Sequence, residues 1–210
     1  MKTKHHAATS LSAALSFMAL ISGAQAAVVF NTAGAASYTY SASGPTSTLP
    51  PASDAILSNI TIARFTQFGT GSPEVRGLTN VTATVGTATF QFQAGAGLQF
   101  SNDVNLSVGT GRQGSGTVVG EYGYDNSTWT PWFSSQIVDQ TYNATNVAAG
   151  KTDLYVRFTF NGVTEGNTVI TWGGSAGERP FTLAGTVVPE PSVTLLGGLG
   201  ALLLLRRRRA

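Results

Sequence analysis

Five aromatic residues, Tyr122, Tyr124, Trp129, Trp132 and Phe133, fall within a stretch of 12 positions, beside Asp125, Asn126 and Ser127. Flat aromatic faces stack on the apolar faces of sugar rings, and neighbouring Asp and Asn side chains exchange hydrogen bonds with sugar hydroxyls. Tyr122, Tyr124, Trp129, Trp132 and Asp125 are therefore candidate carbohydrate-binding residues. Core packing is the simpler account of the same cluster, because Trp and Tyr bury large areas and anchor sheets. Thr130-Pro131, between the two tryptophans, is compatible with a loop for both, which leaves the sugar reading open beside core packing.

Other constellations are weaker. Asn102, Asp103 and Asn105 offer oxygen ligands at close spacing, but one carboxylate is too few for calcium, and a turn held by Asn and Asp side chains is the better reading. Glu121, Asp125, Asp139 and Asp153 supply carboxylates, yet no spacing sets two of them at glycosidase separation. The chain has no Cys, and its two His residues, His5 and His6, lie at the extreme N-terminus. Most zinc sites and Ser-His or Cys-His catalysis are thereby excluded from the rest of the chain. Lys151 stands alone in a Gly-Lys-Thr turn with no phosphate loop around it. No catalytic residue, metal or cofactor is expected. The stretch around Trp129 resembles the strand–turn–Trp pattern of galactose-binding-like jelly rolls, which would imply a sugar ligand.

The elements that must position these residues are strands. Long apolar stripes of helical period are absent, and short alternating runs separated by Gly, Asn or Pro dominate. The expected strands are Val28–Phe30, Ser37–Ser41, Ile56–Phe68, Thr79–Phe92, Gly97–Phe100, Val104–Val108, Gly116–Tyr124, Gln136–Tyr142, Asp153–Phe160, Thr168–Trp172 and Phe181–Val188. Leu154, Val156, Phe158 and Phe160 alternate with Tyr155, Arg157 and Thr159, and Val81, Ala83 and Val85 with Thr82, Thr84 and Gly86. One face of each strand should turn inward and the other to water. Turns are expected at Gly69–Pro73, Gly109–Gly116, Asn161-Gly162 and Gly173-Gly174. The expected fold class is all-β: a single β-sandwich of jelly-roll or immunoglobulin-like type, over residues 27–188.

Both ends read as addresses. Lys2 and Lys4, an apolar run from Leu11 to Ile21, and Ala24-Gln25-Ala26 have the layout of a secretory signal peptide over residues 1–26, with cleavage after Ala26. At the other end, Pro189-Glu190-Pro191 precedes the charge-free segment Ser192–Leu205 and the block Arg206, Arg207, Arg208, Arg209. Those 14 residues, as a helix, span about 21 Å. That is short for a hydrocarbon core of roughly 30 Å, which snorkelling arginines and local thinning can accommodate. The arginines mark the cytoplasmic side.

Residues 189–210 closely resemble the PEP-CTERM sorting signal, with its Pro-Glu-Pro motif, Gly/Leu-rich helix and terminal arginine cluster in that order. The resemblance implies a bacterial envelope protein cut near Pro189–Pro191 by an exosortase-like enzyme; removal of residues 1–26 by signal peptidase is a separate expectation from the N-terminal layout. It implies transient anchoring in the inner membrane by a transmembrane sorting helix, then release to the cell envelope or outside the cell.

With both addresses set aside, Arg64, Arg76, Arg112, Lys151, Arg157 and Arg179 face nine carboxylates, and residues 27–188 carry a net charge of −3. The whole chain is +2. The positive balance therefore belongs to the ends, and nucleic-acid binding is not expected. The leading functional expectation is a non-enzymatic exported matrix protein with a structural or adhesive role. The alternative is a secreted carbohydrate-binding or glycan-active protein using the aromatics of Tyr122–Phe133, with extracellular polysaccharide as the partner.

Overall fold

The computed structural model describes residues 26–42, 48–66, 74–80, 85–112, 116–135, 140–162, 168–170 and 179–191. The expected signal peptide up to residue 25, the segment 192–205 and Arg206–Arg209 lie outside the described residues, as do Val81, Ala83, Asp139 and the turn at Gly173-Gly174. Among the described residues, no helix is long and apolar enough to cross a membrane.

Two sheets face each other. Sheet A contains β1 (Val28–Phe30), β3 (Ala55–Ser58), β6 (Gly86–Ala94), β9 (Gly116–Gly123), β10 (Thr130–Ser135) and β12 (Asp153–Gly162). Its order is β1–β6–β12–β9–β10, with β3 also paired to β6. Sheet B contains β2 (Gly34–Tyr40), β4 (Ile60–Thr66), β5 (Glu74–Asn80), β7 (Leu98–Phe100), β8 (Asn105–Arg112), β11 (Gln140–Ala144), β13 (Thr168–Ile170) and β14 (Phe181–Pro189). Its order is β2–β14–β8–β13–β5–β4, with β11 added to β8 and β7 to β14. Pairing is antiparallel except for β1 against β6.

Period-2 alternation makes the sandwich. On β6 and β12, Phe90, Phe92, Leu154, Val156, Phe158 and Phe160 are fully buried. They meet Leu106, Val108, Phe181 and Leu183 of sheet B. The Phe181 ring lies 4.9 Å from Phe90 and 5.2 Å from Phe158, centroid to centroid, so it joins the two sheets. Such rings supply large apolar area and favour the tilted and edge-on contacts seen here.

Two expected long strands are each divided between the sheets. Ile56–Phe68 breaks at Asn59, whose φ of 53° is left-handed; β3 before it pairs in sheet A and β4 after it in sheet B. Asn tolerates that conformation better than most residues. The Thr79–Phe92 run divides in the same way into β5 and β6. Asn59 Nδ2 donates to the Val85 carbonyl at 3.2 Å, which ties the β3–β4 crossing to the residue before β6.

Strand β14 runs one residue past its expected end. Pro189 pairs with Leu98, and the Glu190 amide donates to the Gly97 carbonyl at 2.9 Å. Pro189, Glu190 and Pro191 are exposed.

Candidate functional site

Strand register decides what faces outward on sheet A. Because Phe90, Phe92, Val156 and Phe158 point inward, the alternating residues Thr89, Gln91, Gln93, Asp153, Tyr155 and Arg157 point outward. Three cross-strand rows result. Ile56, Thr89, Arg157, Glu121 and Pro131 form one. Gln91, Tyr155 and Gly123 form the next, and Val29, Gln93 and Asp153 the third.

The connection from β9 to β10 folds back over this face. Asp125 Oδ1 accepts the amide hydrogens of Thr128 at 2.7 Å and Ser127 at 2.9 Å, and Asn126 adopts a left-handed φ of 56°. Those two backbone N–H groups hold the Asp125 carboxyl down to about 2. A Cβ on Gly123 would stand 2.2 Å from the Thr128 carbonyl oxygen, so the close return of the loop depends on that glycine.

The returning loop delivers Trp129 to the outward face. The Arg157 guanidinium lies 4.0 Å from the Trp129 ring centroid. Arg157 is fixed in turn by Glu121, directly across the strand pair, whose Oε2 accepts from Nη2 at 2.8 Å and Nε at 3.1 Å. A cation stacked on an indole face is attractive by roughly 0.5–1 kcal/mol at a partly exposed site. Its structural effect is to hold one face of Trp129 against the sheet.

Beside this brace lies a buried polar group. Gln91 is 4% exposed and Tyr155 8%. Gln91 Nε2 donates to Tyr155 Oη at 2.8 Å and to Asp153 Oδ1 at 3.2 Å, and Gln93 Nε2 donates to the same carboxylate oxygen at 2.8 Å. The Asp153 contact fixes which end of the Gln91 amide is nitrogen, since two oxygens would repel. Gln91 Oε1 is then buried without a partner. Burial, reinforced by the Asp153 charge, raises the Tyr155 hydroxyl above its usual value, which keeps its proton in place at neutral pH. The exposed side chains Val29 and Ile56 flank the face at its β1/β3 edge.

The five candidate sugar residues do not assemble into one patch. Trp129 and Asp125 lie in the returning loop. Trp132 turns toward the core: a bulge between Pro131 and Phe133 sends both Trp132 and Phe133 inward. Its ring sits 5.1 Å from Phe133 and 6.0 Å from Phe158. Tyr122 also packs on the core. Tyr124 stands at the end of β9, where its hydroxyl donates to the Val147 carbonyl at 2.6 Å and Lys151 Nζ lies 4.9 Å above its ring.

Gln91, Gln93, Tyr155 and Arg157 are additions that the aromatic cluster did not point to. A signal for two of them was present: in LYVRFTF, the polar positions hold an aromatic and an arginine. Asp103 accepts from the Thr186 amide at 2.9 Å and its hydroxyl at 3.0 Å, which joins its turn to β14. Among the described residues, no group of three or more His, Cys, Asp or Glu side chains is placed to hold a metal.

No family model matches the chain, and no curated protein matches its sequence. Several solved structures share part of the architecture. TmCBM61 in complex with β-1,4-galactotriose is 5% identical, with a TM-score of 0.36, over 65% of this chain and 88% of that one. The CBM22-1–GH10 modules of a Clostridium thermocellum xylanase, complexed with xylohexaose, are 13% identical, with a TM-score of 0.38, over 63% of this chain and 25% of that one. The family 11 carbohydrate-binding module of Clostridium thermocellum, in complex with a β-1,3-1,4-mixed-linked tetrasaccharide, is 8% identical, with a TM-score of 0.25, over 74% and 88%. TM-scores of this size carry no weight for function.

Proposed function

We propose that this chain is an exported, non-enzymatic polysaccharide-binding protein. Its β-sandwich holds glycan on the outward face of sheet A. The observation that carries this reading is the braced tryptophan: Trp129 held by Arg157, itself held by Glu121, beside the Gln91–Tyr155–Asp153–Gln93 network. A fixed aromatic ring next to clustered amide, hydroxyl and carboxylate groups is the chemistry that sugar rings and their hydroxyls select. The matrix role expected from the two terminal addresses fits the same reading. Signal peptidase and an exosortase-like enzyme deliver the domain to the envelope or exopolysaccharide, and the sheet face attaches it there.

Affinity electrophoresis of the full chain through gels containing neutral or acidic polysaccharides tests the reading. The expected result is retardation by at least one glycan, lost in Trp129→Ala. Migration unaffected by every glycan refutes it and returns the domain to a purely structural role. The intact mass of the protein recovered from its native host tests the delivery. Loss of the residues after about Pro189 supports tail processing, whereas retention of Arg206–Arg209 means a standing anchor.

A further inference from the structure

Gln91 and Tyr155 leave two hydrogen-bonding capacities unused side by side. Gln91 spends both Nε2 hydrogens, on Tyr155 Oη and Asp153 Oδ1, and its Oε1 is a buried acceptor with no donor. Tyr155 Oη accepts from Gln91, and no described residue accepts its own proton. A buried acceptor without a donor costs about 1–3 kcal/mol, which a water or a ligand hydroxyl donating to it recovers. One hydroxyl satisfies both vacancies, donating to Gln91 Oε1 and accepting from Tyr155.

We propose that Gln91 and Tyr155 form a subsite for the exocyclic hydroxymethyl group of a neutral hexose in the bound polysaccharide, an assignment that rests on the glycan-binding reading above. Depth selects that group. Gln91 and Tyr155 are each more than nine-tenths buried. A hydroxyl attached directly to a ring lying on the face falls short of them, whereas one carried on a further carbon reaches in.

Charge selects its oxidation state. Asp153 adjoins the subsite through Gln91, and Glu121 and Asp125 lie on the same side of the sheet; the Arg157 charge is already paired with Glu121. A uronate, in which the hydroxymethyl is a carboxylate, would bring like charge toward Asp153 and offer no proton to Gln91 Oε1. A pentose lacks the group.

The test is affinity electrophoresis of the full chain and its Tyr155→Phe variant in gels of a glucan, a galactan, a mannan, a xylan and a polyuronate, with thermal unfolding measured in parallel. Tyr155→Phe removes the hydroxyl and keeps the ring, so the fold persists. The expected result is retention by at least one hexose polymer about tenfold stronger than by xylan or polyuronate. Tyr155→Phe should weaken the hexose interaction about tenfold, the value of one good hydrogen bond, and erase the preference over xylan. Equal or stronger binding to xylan or polyuronate overturns the subsite and leaves the glycan-binding reading intact, as does a Tyr155→Phe variant retained like the parent. Absence of retention by all five glycans in the parent overturns both.

Discussion

Arg157 of β12 lies 4.0 Å from the ring centroid of Trp129, which is in the loop between β9 and β10. The contact exists because Gly123 lets the loop after β9 return over the sheet, and because Glu121 holds the guanidinium level with that return. A loop tryptophan is thereby given a fixed place on a sheet face.

The two tryptophans separated by two residues should respond differently to truncation. Trp132→Ala removes a half-buried ring packed on Phe133 and Phe158 and is expected to destabilise the domain by about 2–3 kcal/mol in denaturant unfolding, below the range for a fully buried aromatic. Trp129→Ala is expected to cost about 1 kcal/mol or less, the range of an exposed cation–π pair, while glycan retention disappears. Equal destabilisation by both would contradict the division between inward and outward rings.

Gly123→Ala should act on the loop. The added methyl meets the Thr128 carbonyl at 2.2 Å, and backbone cannot give way as a flexible side chain can. The loop is expected to lift, with faster amide exchange at Ser127 and Thr128 and weaker glycan retention. Unchanged exchange at those two amides would show that the close return is not required.

Asp125 sets the acid limit of the same loop. Its folded carboxyl titrates at about 2, below the ordinary value of about 3.9, because Thr128 and Ser127 donate to the charged form. A depressed carboxylate stabilises the fold above its unfolded pKa and loses that contribution as pH falls through the folded one. The Ser127 and Thr128 amide shifts are therefore expected to titrate together with a midpoint near 2. A midpoint near 4 would mean that the cap is not formed in solution.

Alternation made the sandwich legible. Leu154, Val156, Phe158 and Phe160 read as an inward face from spacing alone, and all four are buried. Two features were not legible. The sheet change at Asn59 depends on one left-handed residue within a run that alternates on both sides of it. Pro131 points to a loop around Trp129 and Trp132, yet Thr130–Ser135 forms β10 at the end of the strand order of sheet A, where a missing N–H is tolerated. The site was legible only in outline. The aromatic cluster contains Trp129, but the bulge that turns Trp132 inward has no local signature. Gln91 and Tyr155 become neighbours only through the pairing of β6 with β12, 64 residues apart.

Hydrogen–deuterium exchange of the full chain, with and without the neutral polysaccharide that best retains it, tests the central claim most directly. The expected result is added protection in the β9–β10 loop around Asp125–Thr130 and in β6 and β12 around Gln91 and Tyr155, with sheet B unchanged. Protection confined to sheet B, or to the two ends of the chain, would contradict the assignment of glycan binding to the outward face of sheet A.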